Sequence, residues 1–379
     1  MLRRTPFLTQ PLILWTGAQM EKNTLLAFAE RRTTAADEST EMLVMKRGTL
    51  KKDDCNKVNI EWSELEEVKK ARLSGYRPMN PCPVYEKNTK TLFLFFICVK
   101  GTVSEEYQRY LGCNKTRLCY IKSHNDGQDW EEVQDLTDKL HDVIKDWTTF
   151  AVGPGHGIQL SSGRLIIPAY AYFPCVPFNC SHPFALCLYS EDSGETWKVG
   201  NKLKKISLEC EMAEIFDDAG QSYVYCNARS EGGCRIEAVS ENNGEDFRIL
   251  DSADKLVETG KGGCQGSVIA FPAQGESENA NSIPSQNAKT WLFFTHPTSN
   301  SSRTNLGTYV NRSPLKPSEW SCPWVIQNGP SGYSDLALIG DGQFACIMEC
   351  GEQSELERIA CVVFTYRDFT EHEKSVVFS

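Results

Sequence analysis

Cysteine and histidine have the widest chemical repertoire in this sequence, because they bind metals, form disulfides and act as nucleophiles or bases. The 379 residues include sixteen cysteines and six histidines. No Cys-x-x-Cys or His-x-x-x-His motif occurs, and Cys346 and Cys350 are the closest regular pair. No histidine stands at a usual zinc-ligand spacing from paired cysteines, so we expect no metal site. The first fifteen residues make a poor signal peptide, interrupted by Thr9 and Gln10, so we expect reduced thiols.

The acidic stretch SEDSGETW, residues 190–197, is the least random in the chain. Its carboxylates could act as acids or bases, but the pattern S-x-D-x-G-x-T-W is also typical of a tight turn. Asp and Gly tolerate the backbone of such a turn, and short polar side chains bond neighbouring amides. We therefore predict that Asp192 closes a hairpin and that Trp197 anchors it between sheets.

Two weaker copies of this box occur, SHNDGQDW at 123–130 and SENNGEDF at 240–247. They carry Asn125 and Asn242 in the place of Asp192, a change that a turn tolerates and a catalytic acid does not. The three boxes begin at 123, 190 and 240, which is 67 and 50 residues apart. Recurrence at about 50 residues, with several strands in each unit, is the signature of propeller blades.

The segments around the boxes are short, rich in β-branched and aromatic residues, and separated by Gly, Asn, Asp and Pro. Only 65–73 and 132–146 have a helical pattern, and the polar segment 274–289 predicts a surface loop. No shift in composition marks a domain boundary. We therefore expect one all-β domain over 24–379, preceded by an atypical segment, 1–23.

Composition narrows the classes of function. Hydrophobic residues make up 40% and charged residues 24% of the chain, which is typical of a globular protein. The net charge of -10 argues against a nucleic-acid partner. The longest apolar run, at 91–99, is half the length that spans a bilayer, so we expect no transmembrane helix and at most peripheral membrane contact.

From residue 24 to the C-terminus the chain resembles the animal exo-α-sialidases. The motifs that carry the resemblance are LLAFAERR-x4-DE, MNPCPVY, FAVGPGHGIQL, IPAYAY, LEC, NARS, GCQGSV, THPTS-x3-R-x2-LG and GYSDLA. FLFFICVKG, GPGHGIQL and IMECG look most like the plasma-membrane ganglioside branch of that family, and the cytosolic branch is next. The resemblance implies a six-bladed β-propeller with Asp-box repeats, which hydrolyses terminal α-linked sialic acid with retention.

The resemblance assigns the nucleophile pair to Tyr333, in GYSDLA, and Glu209, in SLEC. A phenol is a poor nucleophile near neutral pH because its pKa is near 10, so a carboxylate within hydrogen-bond reach must take its proton. A carboxylate nucleophile would be repelled by the carboxylate of the substrate, whereas a neutral phenol is not. Sialidases are accordingly an exception to the two-carboxylate rule of glycosidases.

The family binds the substrate carboxylate with three arginines, whose planar donor forks match it. Arg229, in NARS, and Arg303 match two of them. The third belongs to a Tyr-Arg-Ile-Pro motif that this chain lacks, and Thr9 takes its place if Pro11 is the motif's proline. Glu349, in IMECG, matches the acid that would hold the missing arginine, so we expect it to be left unpaired. Loss of this one arginine would weaken substrate binding by on the order of several kcal/mol.

By the same resemblance, Asp37 is the acid/base residue, in a Thr/Ala-rich loop, and Arg32 contacts the ligand. The rest of the sugar pocket is assigned to Asn80, Glu105, Tyr170, Tyr172 and Gln265. Tyr170 and Tyr172 alternate on one predicted strand and therefore share a face.

The resemblance implies an enzyme that needs no metal or cofactor and acts on a sialylated glycolipid or glycoprotein. Its location would be peripheral at the plasma membrane or, alternatively, cytoplasmic. The leading alternative function is a catalytically impaired propeller that binds sialylated glycans, which the missing arginine favours. A third possible function is that of a receptor-type propeller that uses the boxes only as scaffold. Residues 1–23 could also come from an alternative start that damages one edge of an otherwise competent enzyme.

Overall fold

The computed structural model describes the backbone of residues 13–16 and, beyond it, residues 24–53, 58–175, 180–274, 288–340 and 342–377. Within these residues the strands form five antiparallel sheets. The first sheet contains β1 (Ile13–Thr16), β2 (Thr24–Arg32), β3 (Thr40–Lys52), β4 (Val58–Trp62) and β5 (Glu66–Glu67). The second contains β6 (Tyr76–Glu86), β7 (Thr91–Lys100), β8 (Thr116–Ser123) and β9 (Gln134–Asp135).

The remaining sheets follow in chain order. The third contains β10 (Thr149–Val152), β11 (Ile158–Gln159), β12 (Leu165–Pro174), β13 (Ser181–Ser190) and β14 (Lys198–Val199). The fourth contains β15 (Cys210–Phe216), β16 (Ser222–Ala228), β17 (Ile236–Ser240) and β18 (Arg248–Ile249). The last contains β19 (Ser267–Pro272), β20 (Thr290–Pro297), β21 (Thr304–Asn311), β22 (Trp324–Leu338), β23 (Gln343–Cys350) and β24 (Arg358–Thr365).

Each sheet is a meander in which strands consecutive in the chain are hydrogen-bonded, apart from the short strands β5 and β11. The inner strands contact each other in a ring: β1 contacts β6 and β22, β6 contacts β10 and β11, β11 contacts β15, β15 contacts β19, and β19 contacts β22. Sheets arranged as blades around a ring form a propeller. The predicted all-β propeller is confirmed at the level of five sheets, the last of which has six strands.

The predicted boxes are turns between the last two strands of the second, third and fourth sheets. In the box at 190–197, Asp192 Oδ1 accepts the Thr196 N–H at 2.8 Å, and Ser190 Oγ accepts the Gly194 N–H at 2.8 Å. The Trp197 ring packs edge-on against Phe95 of β7, with 4.6 Å between ring centroids. The turn role and the anchoring of the hairpin between sheets are both confirmed.

Helices are few, and the sequence misplaced them. In the described residues the α-helices are α1 (Glu105–Leu111), α2 (His141–Ile144) and α3 (Tyr366–Val377). The predicted helix at 65–73 is wrong, since Glu66–Glu67 is a strand, and the one at 132–146 reduces to α2. Most of the predicted loop at 274–289 lies outside the described residues. In the part of the chain that the structure describes, no helix is long and apolar enough to cross a membrane.

Candidate active site

A cavity of about 310 Å³ brings together most of the predicted site residues. Nine of the eleven line it: Asp37, Asn80, Glu105, Tyr170, Tyr172, Glu209, Arg229, Arg303 and Tyr333. They come from all five sheets or the loops between their strands, so only the closed fold assembles them. A second cavity, of about 540 Å³, also has Asp37 and Glu105 in its wall and therefore adjoins the first.

The nucleophile pair predicted from the sequence is in contact. The Tyr333 hydroxyl donates to Glu209 Oε1 at 2.5 Å, and Arg229 Nη1 donates to Glu209 Oε2 at 2.6 Å. Arg229 Nη1 also lies 3.0 Å from the Tyr333 hydroxyl. The phenol therefore has both a proton acceptor and a cation within hydrogen-bond distance.

The environment keeps this phenol protonated in the resting site. Burial raises the pKa of Tyr333 well above its usual value, and the negative charge of Glu209 raises it further. Arg229 and Arg303 oppose this rise, because a cation favours the phenolate. The arrangement supplies both a base that can remove the proton and cations that stabilise the anion formed.

Arg229 and Arg303 flank the phenol. Arg229 Nε donates to the Gly262 carbonyl at 2.7 Å, and Arg303 Nη2 contacts the Gly263 carbonyl at 3.3 Å. The Arg303 guanidinium carbon lies 5.3 Å from the centroid of the Tyr333 ring. Both guanidinium groups are anchored by backbone carbonyls and line the cavity, where they can bind an anion.

Glu349 has a partner, contrary to the expectation from the sequence. This buried carboxylate accepts the backbone N–H of Tyr333 at 3.1 Å. A side chain at Gly332 would place its Cβ 2.6 Å from Glu349 Oε2, so the glycine permits this contact. The acid thus supports the nucleophile strand. Thr9 and Pro11, the positions of the missing motif, lie outside the described residues.

Asp37 lies at the cavity edge with its side chain 52% exposed, and Arg32 orients it. Arg32 Nη1 donates to Asp37 Oδ1 at 2.5 Å and Nη2 donates to Glu30 Oε2 at 2.6 Å. Burial lowers the pKa of Arg32, but the two carboxylates raise it more, and the net shift is upward. The Arg32 side chain is fully buried beside the lining residue Asp37, and its contact with a ligand stays a prediction.

Tyr170 and Tyr172 line the cavity side by side, which confirms that they share a face. The Tyr170 hydroxyl donates to Glu105 Oε2 at 3.3 Å. The guanidinium of Arg109 lies 4.4 Å from the centroid of the Tyr172 ring. Burial raises the pKa of Glu105.

Sequence reasoning missed two cations of the wall, Arg77 and Arg109. Arg109 follows Glu105 by four residues on α1, with 3.8 Å between their charged atoms. This i,i+4 spacing of opposite charges was the available signal. Arg77 donates to the carbonyls of Gly101 and Val103, each at 2.7 Å.

Gln265 lies beneath the cavity and does not line it. This buried side chain accepts the Ser334 N–H at 3.1 Å and contacts Glu211 Oε1 at 3.2 Å. The structure thus places Gln265 next to the nucleophile strand and away from the cavity surface.

Two groups in the described residues have the geometry to hold a metal ion: Cys175 with Cys180 and His182, and His156 with Glu211 and Asp335. The expectation that no histidine stands near paired cysteines is wrong for the first group. The pairing of β12 with β13 sets Cys175 opposite Cys180, and His182, two residues after Cys180, lies on the same side. In the second group, His156 is hydrogen-bonded to Asp335.

Comparison with known proteins identifies the family. Residues 23–346 match the model of a BNR repeat-like domain. The chain is 43% identical over 374 residues to sialidase-3 of Rattus norvegicus, covering 90% of this chain and 88% of that protein. The chain belongs to the sialidase family. Sialidase-2 of Mus musculus is 45% identical over 366 residues, covering 94% of this sialidase and 92% of its relative. The resemblance predicted from the motifs is confirmed.

Solved structures share the fold of this sialidase at low sequence identity. The Hadza microbial sialidase Hz136 has a TM-score of 0.74 at 19% identity, covering 94% of this chain and 65% of that chain. Trypanosoma rangeli sialidase, in complex with 2,3-difluorosialic acid as a covalent intermediate, has a TM-score of 0.65 at 18% identity, covering 97% and 55%. Both support the sialidase propeller.

Proposed function

We propose that this protein is a retaining exo-α-sialidase that uses Tyr333 as its nucleophile. Glycosidase activity of the exo-α-sialidase class follows from membership of the family. The observation that carries the mechanism is the 2.5 Å hydrogen bond from the Tyr333 hydroxyl to Glu209. This contact gives a buried phenol a base at proton-transfer distance, and Arg229 and Arg303 stand beside it for the substrate carboxylate.

In the first half of the reaction, Arg229 and Arg303 bind the carboxylate next to the anomeric carbon. Glu209 takes the phenol proton as the Tyr333 oxygen attacks that carbon. The bond to the leaving sugar breaks, its electron pair goes to the leaving oxygen, and Asp37 protonates that oxygen. The leaving sugar departs toward the adjoining cavity, whose wall also contains Asp37.

In the second half, Asp37 takes a proton from water as the water oxygen attacks the anomeric carbon of the tyrosyl intermediate. The bond to Tyr333 breaks, and Glu209 returns the proton to the phenol oxygen. Two inversions at one carbon give net retention. No step requires a group other than substrate, water and these side chains.

We also infer that the propeller has six blades. β22 pairs with β21 through its first half and with β23 through Ser331–Leu338, with a shift of register between Ser331 and Ser334. The six-stranded sheet therefore divides within β22. One blade contains β19, β20, β21 and the first half of β22, and the other contains the second half of β22, β23 and β24. The ring contacts of β1 with both β6 and β22 support closure around six inner strands.

The substrate class that we propose is terminal sialic acid on glycoconjugates, with gangliosides preferred and peripheral attachment at the plasma membrane. The support is the likeness of FLFFICVKG, GPGHGIQL and IMECG to the ganglioside branch. A cytoplasmic location is the alternative.

A sialoglycan-binding propeller with impaired turnover is the second candidate, because the Tyr-Arg-Ile-Pro motif is absent. Hydrolysis of a fluorogenic sialoside and of a ganglioside separates the two, measured for the wild type, Tyr333→Phe and a variant with Tyr-Arg-Ile-Pro at residues 8–11. An active wild type and inactive Tyr333→Phe support the enzyme. Tight glycan binding with negligible turnover in both supports the binding protein, and activity gained only with the restored motif locates the defect.

A further inference from the structure

A buried charge cluster lies directly beneath the Tyr333–Glu209 pair. Glu211 follows Glu209 by two residues at the start of β15, and Asp335 follows Tyr333 by two residues in β22. Both deeper acids are 0% exposed. Because side chains two residues apart on a strand lie on the same side, the two strands present one pair to the cavity and another pair below it.

His156 joins the deeper pair. Its Nδ1 lies 2.8 Å from Asp335 Oδ1 and 3.7 Å from Glu211 Oε2. Ser267 Oγ of β19, the strand between β15 and β22, contacts both acids, at 2.8 Å to Glu211 and 2.9 Å to Asp335. Burial lowers the pKa of His156, but Asp335 and Glu211 raise it more, to about 9. Burial and Asp335 also raise the pKa of Glu211 well above its usual value, so the ring bridges two acids that are costly to bury without a partner.

The loop that carries His156 is fitted closely against this cluster. A Cβ at Gly155 would lie 1.8 Å from Glu211 Oε1, and the φ of Gly155 is +144°, so only glycine allows the approach. Gln265 connects the cluster to the nucleophile strand, because its Nε2 contacts Glu211 Oε1 at 3.2 Å while its Oε1 accepts the Ser334 N–H. Movement in the cluster would therefore reach the backbone next to the nucleophile.

We propose that His156 is a positioning residue for the Tyr333–Glu209 pair. By holding Asp335 and Glu211 together, its ring sets the spacing of the two strands that carry the nucleophile and its base, without contact with substrate. The proposal rests on the proposed function, in which Glu209 takes the phenol proton over 2.5 Å. Without the ring the deeper acids lose the partner that bridges them, and a misplacement of about 1 Å between reacting groups costs on the order of 100-fold in rate.

The test compares His156→Asn with a matched control, His296→Asn. The control removes another buried histidine, which lies in β20 and is hydrogen-bonded to Glu258. In His156→Asn, kcat on a fluorogenic sialoside should fall about 30- to 100-fold while KM stays within about threefold, because the arginines are untouched. The control should keep kcat within about threefold. Unchanged kcat in His156→Asn, or an equal loss in both variants, overturns the proposal.

A second measurement does not depend on turnover. His156→Asn should lower the Tm by roughly 5 °C or more, and adding Asp335→Asn should restore at least about half of that loss, because the neutral amide no longer needs the histidine as a partner. Strictly additive losses of Tm overturn the bridge. If the wild type fails to hydrolyse any sialoside, the proposed function fails, and the Tm cycle still decides whether His156 couples the two strands.

Discussion

Glu209→Gln removes the base of the nucleophile pair while keeping the size of its side chain. A phenol of ordinary pKa near 10 is ionised in about one molecule in 1000 at pH 7. Burial raises the pKa of Tyr333 above that value, and the arginines alone oppose the rise once Glu209 is neutral. We therefore expect kcat to fall by about 10³-fold, which is ~4 kcal/mol of transition-state stabilisation.

The assay is steady-state hydrolysis of an aryl sialoside, whose good leaving group makes protonation by Asp37 less important. Because the phenolate fraction grows tenfold with each pH unit below the pKa, activity of Glu209→Gln should rise about tenfold per unit above pH 7, unlike that of the wild type. Glu214→Gln, the same change on β15 but outside the cavity wall, is the control and should stay within about twofold of wild type. Retention of more than about a tenth of kcat in Glu209→Gln would refute the assignment of Glu209 as the base.

Three further substitutions test the general acid, the carboxylate-binding arginine and the anchoring of the box. Asp37→Asn should reduce kcat on a ganglioside by about 10²- to 10³-fold, because the poor leaving group of this substrate needs the acid. The loss of kcat on an aryl sialoside should be at least about tenfold smaller, and equal losses on both substrates would argue against this role. Arg303→Lys, which replaces a planar fork by a single ammonium, should raise KM about 10- to 100-fold with a smaller change in kcat, and an unchanged KM would remove Arg303 from carboxylate binding. Trp197→Ala should lower the free energy of unfolding by about 3–5 kcal/mol, measured by denaturant melts, and a loss near zero would contradict the anchoring of the box.

The parts of the fold that the sequence predicted well are those determined locally. The box at 190–197 needs only a Ser, an Asp, a Gly and an aromatic residue within eight positions, so its turn can be recognised without knowing what packs around it. The motif matches likewise predicted nine residues that converge on the cavity. The helices α1 and α3 were missed because tertiary packing, more than helical propensity, stabilises segments of 7 and 12 residues.

The residues that sequence reasoning misplaced depend on pairing between distant strands. Whether a side chain such as Gln265 lines the cavity or lies beneath it depends on how the sheets pack, which a motif does not specify. Glu349 acquires the backbone N–H of Tyr333 only because β22 and β23 pair as they do. The bridge at His156 joins residues 179 positions apart, so no local pattern could have indicated it.

Covalent trapping shows directly whether Tyr333 is the nucleophile. The wild type is incubated with 2,3-difluorosialic acid, digested, and analysed by tandem mass spectrometry to locate the adduct. A tyrosine nucleophile predicts a glycosyl adduct on the Tyr333 side chain, absent from Tyr333→Phe and slower to form in Glu209→Gln. An adduct on Glu209 or Asp37, or full hydrolytic activity with Tyr333→Phe, would contradict the tyrosine nucleophile.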